Sequence, residues 1–146
     1  MRLDTPASLF FNMISSVFFL LVLSISVYCD LKTREVPNYL TYTGALLALV
    51  TTESLSGAFV GAFVCFAALL VLYSTGSIGG GDVKLGAVIG GFSGVTSGIT
   101  SIAVAHLVAS IVSLIRLKFA NRQPKEIPLA GFYLSGVVIT WFAIGF

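Results

Sequence analysis

Two aspartates, Asp30 and Asp82, are the residues of this chain whose placement most invites chemistry. Asp30 closes an apolar run that begins near Leu9, and Asp82 follows three consecutive glycines, Gly79, Gly80 and Gly81, just before another apolar run opens. An ionisable group at the edge of a hydrocarbon layer is costly and marks a functional site by default. A run of glycines permits backbone conformations and close approaches denied to other residues. Irregular backbone at membrane depth survives where protein or a water-filled cavity satisfies its polar groups, so Asp82 is expected to face a pocket. Two carboxylates in one site do not readily both ionise; one keeps a proton while the other activates water. Such a pair hydrolyses an amide bond without metal, nucleotide or other cofactor.

The two positions predict unequal roles. Asp82 opens a helix, where the dipole favours a negative charge, and Asp30 closes one, where it does not. On that ground Asp30 is the more readily protonated partner and Asp82 the resting base. The other acids are weaker candidates. Glu35 and Glu126 lie among basic neighbours and read as solvated loop charges, and Asp4 and Glu53 fall toward the opposite face. His106 reads as packed or helix-bonded within an apolar segment, with no carboxylate expected on its side. Cys29 and Cys65 form no CxxC pair and no His/Cys cluster, so they read as buried thiols; neither a metal site nor a disulfide framework is expected.

These residues are carried on elements that belong in a bilayer. The 146 residues are 57% hydrophobic and 10% charged, far from the balance of a soluble domain. Apolar segments at about 8–29, 39–52, 55–74, 83–97, 99–117 and 128–146 predict a polytopic all-α bundle of about six transmembrane helices. One transmembrane domain over residues 1–146 is expected, with no soluble domain. The first segment is long enough to span, no small-residue cleavage site follows it, and Asp4 weakens its positive flank, so it reads as a helix and not as a cleaved signal. A net charge of +2 spread along the chain does not suggest a nucleic-acid partner.

With six crossings, Lys32, Arg34, Lys84, Arg116, Lys118, Arg122 and Lys125 fall on one face and only Arg2 on the other. The positive-inside rule makes the crowded face cytoplasmic and both termini external. Asp30, Asp82 and Pro128 then share the cytoplasmic face. Gly86, Gly90, Gly94 and Gly98, at intervals of four, predict a closely packing stripe on one helix, and Gly57 and Gly61 predict another.

Several of these strings resemble a known family. Gly79-Gly80-Gly81-Asp82 matches the GxGD motif of intramembrane aspartyl proteases, and the continuation Val83-Lys84-Leu85 is similar to the form found in type IV prepilin peptidases. Asp30 through Thr41, with its basic residues followed by Pro37-Asn38 and Leu40-Thr41, resembles that family's first aspartate segment. Ile127-Pro128 resembles the start of its last helix. The resemblance runs in order from about residue 15 to the end, and is nearest to the short form associated with Flp or tight-adherence pili. It implies catalytic Asp30 and Asp82, with Gly79, Gly81, Lys84, Pro37, Asn38 and Pro128 in support. It also implies a prepilin substrate cut at the cytoplasmic face of a bacterial inner membrane, with archaeal preflagellin peptidases a neighbouring group. The chain shows no cysteine-bearing domain of the long bifunctional enzymes, so product N-methylation is not expected, and Val36 stands where the family has Ile. Nothing in the sequence speaks to oligomeric state. The rival reading is a small proton- or cation-coupled transporter using the same two aspartates. Such sites usually lie near the midplane between repeated halves, whereas here both aspartates map to one face and no repeat is evident.

Overall fold

The computed structural model describes residues 6–52, 54–120 and 129–144, and every regular element among them is a helix. These are α1 (Pro6–Thr33), α2 (Asn38–Thr51), α3 (Leu55–Ser74), α4 (Gly80–Ala120) and α5 (Leu129–Ile144). Arg2, Asp4, Glu53, Arg122, Lys125, Glu126 and Pro128 lie outside the described residues.

α4 is not one straight rod. Gly94 has φ 74° and ψ −178°, a conformation that only glycine adopts readily. The chain reverses there: a Cβ placed on Gly98 would lie 3.0 Å from the Cα of Gly90, and one on Gly86 would lie 3.6 Å from Ile102. In a continuous helix Gly90 and Gly98 would be about 12 Å apart. α4 is therefore an antiparallel hairpin with arms 80–93 and 95–120, and the five elements give six helical segments close to the six drawn from the sequence. Three of the helices are long and apolar enough to cross a membrane.

The hairpin corrects the glycine stripe. Gly86 and Gly90 lie on the first arm, Gly98 on the second, and Gly94 is the turn. The close packing is real but joins several elements: a Cβ on Gly61 would run into the carbonyl of Gly90, and one on Gly136 into that of Ser101. Gly57 takes no part in it; it is exposed and donates its N–H to Ser54 Oγ, capping α3.

Contacts along the bundle fix the direction of every segment. Thr51 and Ser15 meet at 3.4 Å, and Gly44 packs on Val22, so α2 runs antiparallel to α1. α3 runs antiparallel to the first arm, with Leu69 over Gly86 and Gly61 over Gly90. Phe19 stacks on Phe92 at 4.9 Å and lies 5.9 Å from Trp141, tying α1 to the first arm and to α5 at the far end. The segments thus alternate in direction, and the 34–37 and 75–79 connections share one end with the start of α5. Lys32, Arg34 and Lys84 lie at this end, and the second arm carries Arg116 and Lys118 toward it.

The core is small and the periphery apolar. Phe19, Leu23, Leu69, Leu85, Ile89 and Tyr133 are fully buried, while Met13, Tyr42, Leu46, Phe63, Val71 and Leu114 are exposed. An apolar periphery of this extent would drive a water-soluble protein to associate, and it suits a lipid environment. Cys65 is buried as expected, but Cys29 is only half-buried.

Candidate active site

The site end is built from the exits and entrances of four segments. α1 runs through Asp30 to Thr33 and stops where Arg34 takes a left-handed φ of 57°, its N–H donating to the Asp30 carbonyl at 2.9 Å. Thr33 Oγ1 reinforces the stop by donating to the Cys29 carbonyl at 2.8 Å and contacting that of Glu35 at 3.1 Å. Pro37 then starts α2: its φ of −62° suits the position before a helix, and its carbonyl accepts from Leu40 N–H at 3.1 Å. The connection between the two helices is only a few residues long, and it lines one cleft with the start of α4.

Asp82 sits in the first turn of α4, which already begins within the glycine run at Gly80. The run is thus partly helical, where an irregular backbone was expected. Gly79 N–H donates to Asp82 Oδ2 at 3.2 Å, and Asp82 N–H to the Gly79 carbonyl at 3.1 Å. This is the reciprocal arrangement by which an acid in the first turn satisfies an otherwise orphaned N–H. A Cβ on Gly79 would lie 3.3 Å from Asp82 Oδ2, tight enough to disturb the carboxylate, and Gly81 lies beneath Val36.

Asp30 and Asp82 line the same cleft, which has a volume of about 430 Å³ and is walled by 34–38 on one side and 79–82 on the other. The two carboxylates are close enough to influence one another electrostatically. Of the residues expected in support, Pro37, Asn38, Gly79 and Gly81 also line it. Lys84 reaches back to them: its Nζ donates to Asn38 Oδ1 at 2.6 Å, clamping the start of α2 to the first turns of α4. Pro128 is outside the described residues, but the segment it precedes contributes directly. Ala130 N–H, in the first turn of α5, donates to Asp30 Oδ2 at 3.0 Å.

That contact removes the basis for unequal roles. Asp30 ends its own helix but faces the N-terminus of another, so both carboxylates accept a backbone N–H at a helix start, where negative charge is favoured. The dipole argument no longer distinguishes them.

Arg34, Glu35 and Gly80 also line the cleft. Glu35 is an exposed loop residue, as expected, and it also lines the cleft, which no spacing rule signals. His106 is helix-bonded as expected, with Nδ1 2.9 Å from the Ile102 carbonyl, and no carboxylate bonds its ring, although the fold brings its arm back alongside the one that carries Asp82. The reason is the hairpin register, which sequence periodicity does not reveal. Among the described residues no group of three or more His, Cys, Asp or Glu gathers at a metal-binding spacing.

No curated protein and no solved structure gives a significant match to the chain. The sequence profile described as the type IV leader peptidase family matches residues 17–114, which take in both aspartates, the α1–α2 connection and most of the Gly94 hairpin. That is about two-thirds of the 146 residues, and the matched stretch is the one that encloses the cleft. By this match, the chain belongs to the type IV leader peptidase family.

Proposed function

We propose that this protein is an aspartic endopeptidase of the membrane that removes the short basic leader of a prepilin, with Asp30 and Asp82 as its catalytic dyad. The observation that carries the reading is the convergence of the two aspartates, 52 positions apart in sequence, on one cleft at one end of the bundle. Family membership supplies the reaction class, and the cleft brings the two aspartates together, with Glu35 also in its lining.

In the proposed reaction the ionised carboxylate takes a proton from water, whose oxygen attacks the scissile carbonyl carbon. The protonated partner gives its proton to the carbonyl oxygen, forming a tetrahedral diol. As the C–N bond breaks, a proton passes to the departing nitrogen and the dyad returns to its singly protonated state. Titration belongs to the pair and not to either residue. The N–H donors of Gly79 and Ala130 hold one oxygen of each carboxylate, leaving the other free for substrate and water.

The chain is read as one domain with six crossings, its cleft at the cytoplasmic face of the inner membrane and both termini outside. Five described basic residues, Lys32, Arg34, Lys84, Arg116 and Lys118, lie on the site half of the bundle and support that orientation. A prepilin pairs a basic leader with an apolar helix, so a cut at this boundary lets the helix remain in lipid while the leader reaches the cleft. Glu35 is the cleft acid available to the leader outside the dyad. The short form linked to Flp or tight-adherence pili remains the nearest resemblance. A transporter site would be expected deeper between repeated halves, and the cleft lies at a bundle end.

Incubation of the purified protein with a synthetic Flp-type prepilin, followed by mass spectrometry of the products, tests this. Cleavage between leader and apolar helix is expected for the native protein and not for Asp30→Ala or Asp82→Ala. Cleavage by either variant would reject the dyad.

A further inference from the structure

The hairpin register sets an unexpected group behind Asp82. Gly90 meets Gly98 and Gly86 meets Ile102, pairs symmetric about Gly94, and the same register places His106 of the second arm opposite Asp82 of the first. His106 Nδ1 is 2.9 Å from the Ile102 carbonyl. A carbonyl only accepts, so Nδ1 carries the hydrogen and Nε2 of the neutral ring is an acceptor. That Nε2 is buried and has no hydrogen-bond partner. The hydroxyl of Tyr133, on the helix whose start binds Asp30, is likewise buried and unpartnered. The Tyr133 ring stands edge-on to His106 with centroids 5.6 Å apart, and Tyr133 is only 1% exposed. Asp82 is within electrostatic reach of both.

An unpaired buried polar atom is costly, and each such atom in a native structure calls for an explanation. Here two of them, from two helices that pack against each other, lie on the side of the hairpin that faces Asp82, and neither bonds its carboxyl in this structure. An ionised carboxylate is only an acceptor, whereas its protonated form has an O–H that needs one. His106 Nε2 and Tyr133 Oη supply acceptors for that form.

We propose that His106, with Tyr133 beside it, is a positioning residue that governs how Asp82 holds its proton. It receives the hydrogen bond of the protonated carboxyl and, when the imidazole is itself protonated, holds Asp82 ionised so that the dyad's proton resides on Asp30. The inference rests on the reading of Asp82 as half of the dyad. The charged or titratable groups around the pair are Asp30 from α1, Arg34 and Glu35 from the cleft wall, and Tyr133 from α5. α3 brings Tyr73 against Gly80 and Cys65 against Gly90 and Gly98, and Lys84 is engaged by Asn38.

The test is an infrared pH titration of the carboxyl bands of the full-length protein in detergent, with Asp82→Asn identifying the Asp82 band. His106→Asn keeps a donor for the Ile102 carbonyl but removes Nε2, and His106→Gln keeps a polar group without titration. A cationic imidazole near a carboxyl favours the ionised form. Its loss therefore moves the Asp82 midpoint to higher pH in both variants, by about half a unit or more, a threefold change in proton affinity. Tyr133→Phe, which removes an acceptor for the protonated form, moves it to lower pH. Prepilin cleavage by the His106 variants falls in kcat, with KM unchanged and the acid limb of its pH profile displaced. A midpoint unmoved in His106→Asn, His106→Gln and Tyr133→Phe overturns the proposal, even if native protein cleaves prepilin. A shifted midpoint in a native protein that cleaves nothing upholds it and rejects the peptidase reading instead.

Discussion

At the scale of single residues, the site depends on small polar contacts that hold two carboxylates in place. Lys84 and Asn38 exemplify this, since one 2.6 Å bond joins the mouth of α4 to the start of α2 across the cleft. Their effects are expected to be shared. Lys84→Met and Asn38→Ala each lower prepilin cleavage, and the double variant is scarcely worse than either, giving a coupling energy of about 0.5–1 kcal/mol in a double-mutant cycle. Additive losses would show that the bond does not position the site. Most of these residues were legible from sequence because each carries a chemical signature: paired acids at apolar boundaries, a glycine run before an aspartate, a Pro-Asn that starts a helix. The contact of Ala130 N–H with Asp30 was not legible, because a backbone donor has no signature and its partner lies 100 positions away. For the same reason, the dipole argument from Asp30's own helix missed the neighbouring helix start.

At the scale of elements, the decisive feature is the Gly94 turn. Apolar composition alone reads 80–120 as continuous, and only the short interruption near 94–98 suggested two segments. Glycines at intervals of four describe a stripe on a straight helix equally well, which is why the ladder was assigned to one helix although the chain folds back on itself. The turn and the packing contacts are separable. A Cβ on Gly94 would meet nothing within 4 Å, so Gly94→Ala is penalised by its backbone alone, at about 1–3 kcal/mol. A Cβ on Gly90 would run into the Gly61 carbonyl, so Gly90→Ala is penalised by overpacking, at about 1–3 kcal/mol. Unfolding of the two variants in mixed micelles measures both losses. Unchanged stability in Gly94→Ala would mean that the hairpin is not built on this conformation. Because the hairpin register sets His106 opposite Asp82, Gly94→Ala is also expected to lower cleavage from a distance.

At the scale of the whole molecule, alternating helix direction and a one-sided basic distribution give the bundle its polarity. The sequence argument for this orientation relied on counting segments, and the antiparallel contacts of α1 with α2, α3 with the first arm, and the two arms with each other support that count. Ser77 lies in the connection beside the cleft, and Ser56 at the opposite end of α3. In a background with Cys29 and Cys65 replaced, Ser77→Cys is expected to react with a membrane-impermeant thiol reagent only from the cytoplasmic side, and Ser56→Cys only from the other. Labelling of both from one side would overturn the topology. In the proposed orientation, this polarity would put the two aspartates at the membrane face where the basic leader of a prepilin is proposed to arrive.

These scales meet in the claim that Asp30 and Asp82 act as one unit, and the most direct measurement is the prepilin-cleavage rate of Asp30→Asn, Asp82→Asn and the double variant under single-turnover conditions. Residues that share one proton fail together, so each single substitution is expected to reduce the rate by about 10³-fold or more, with the double variant no slower than either. Two partial losses that multiply in the double variant, or a rate preserved in either single one, would contradict the dyad.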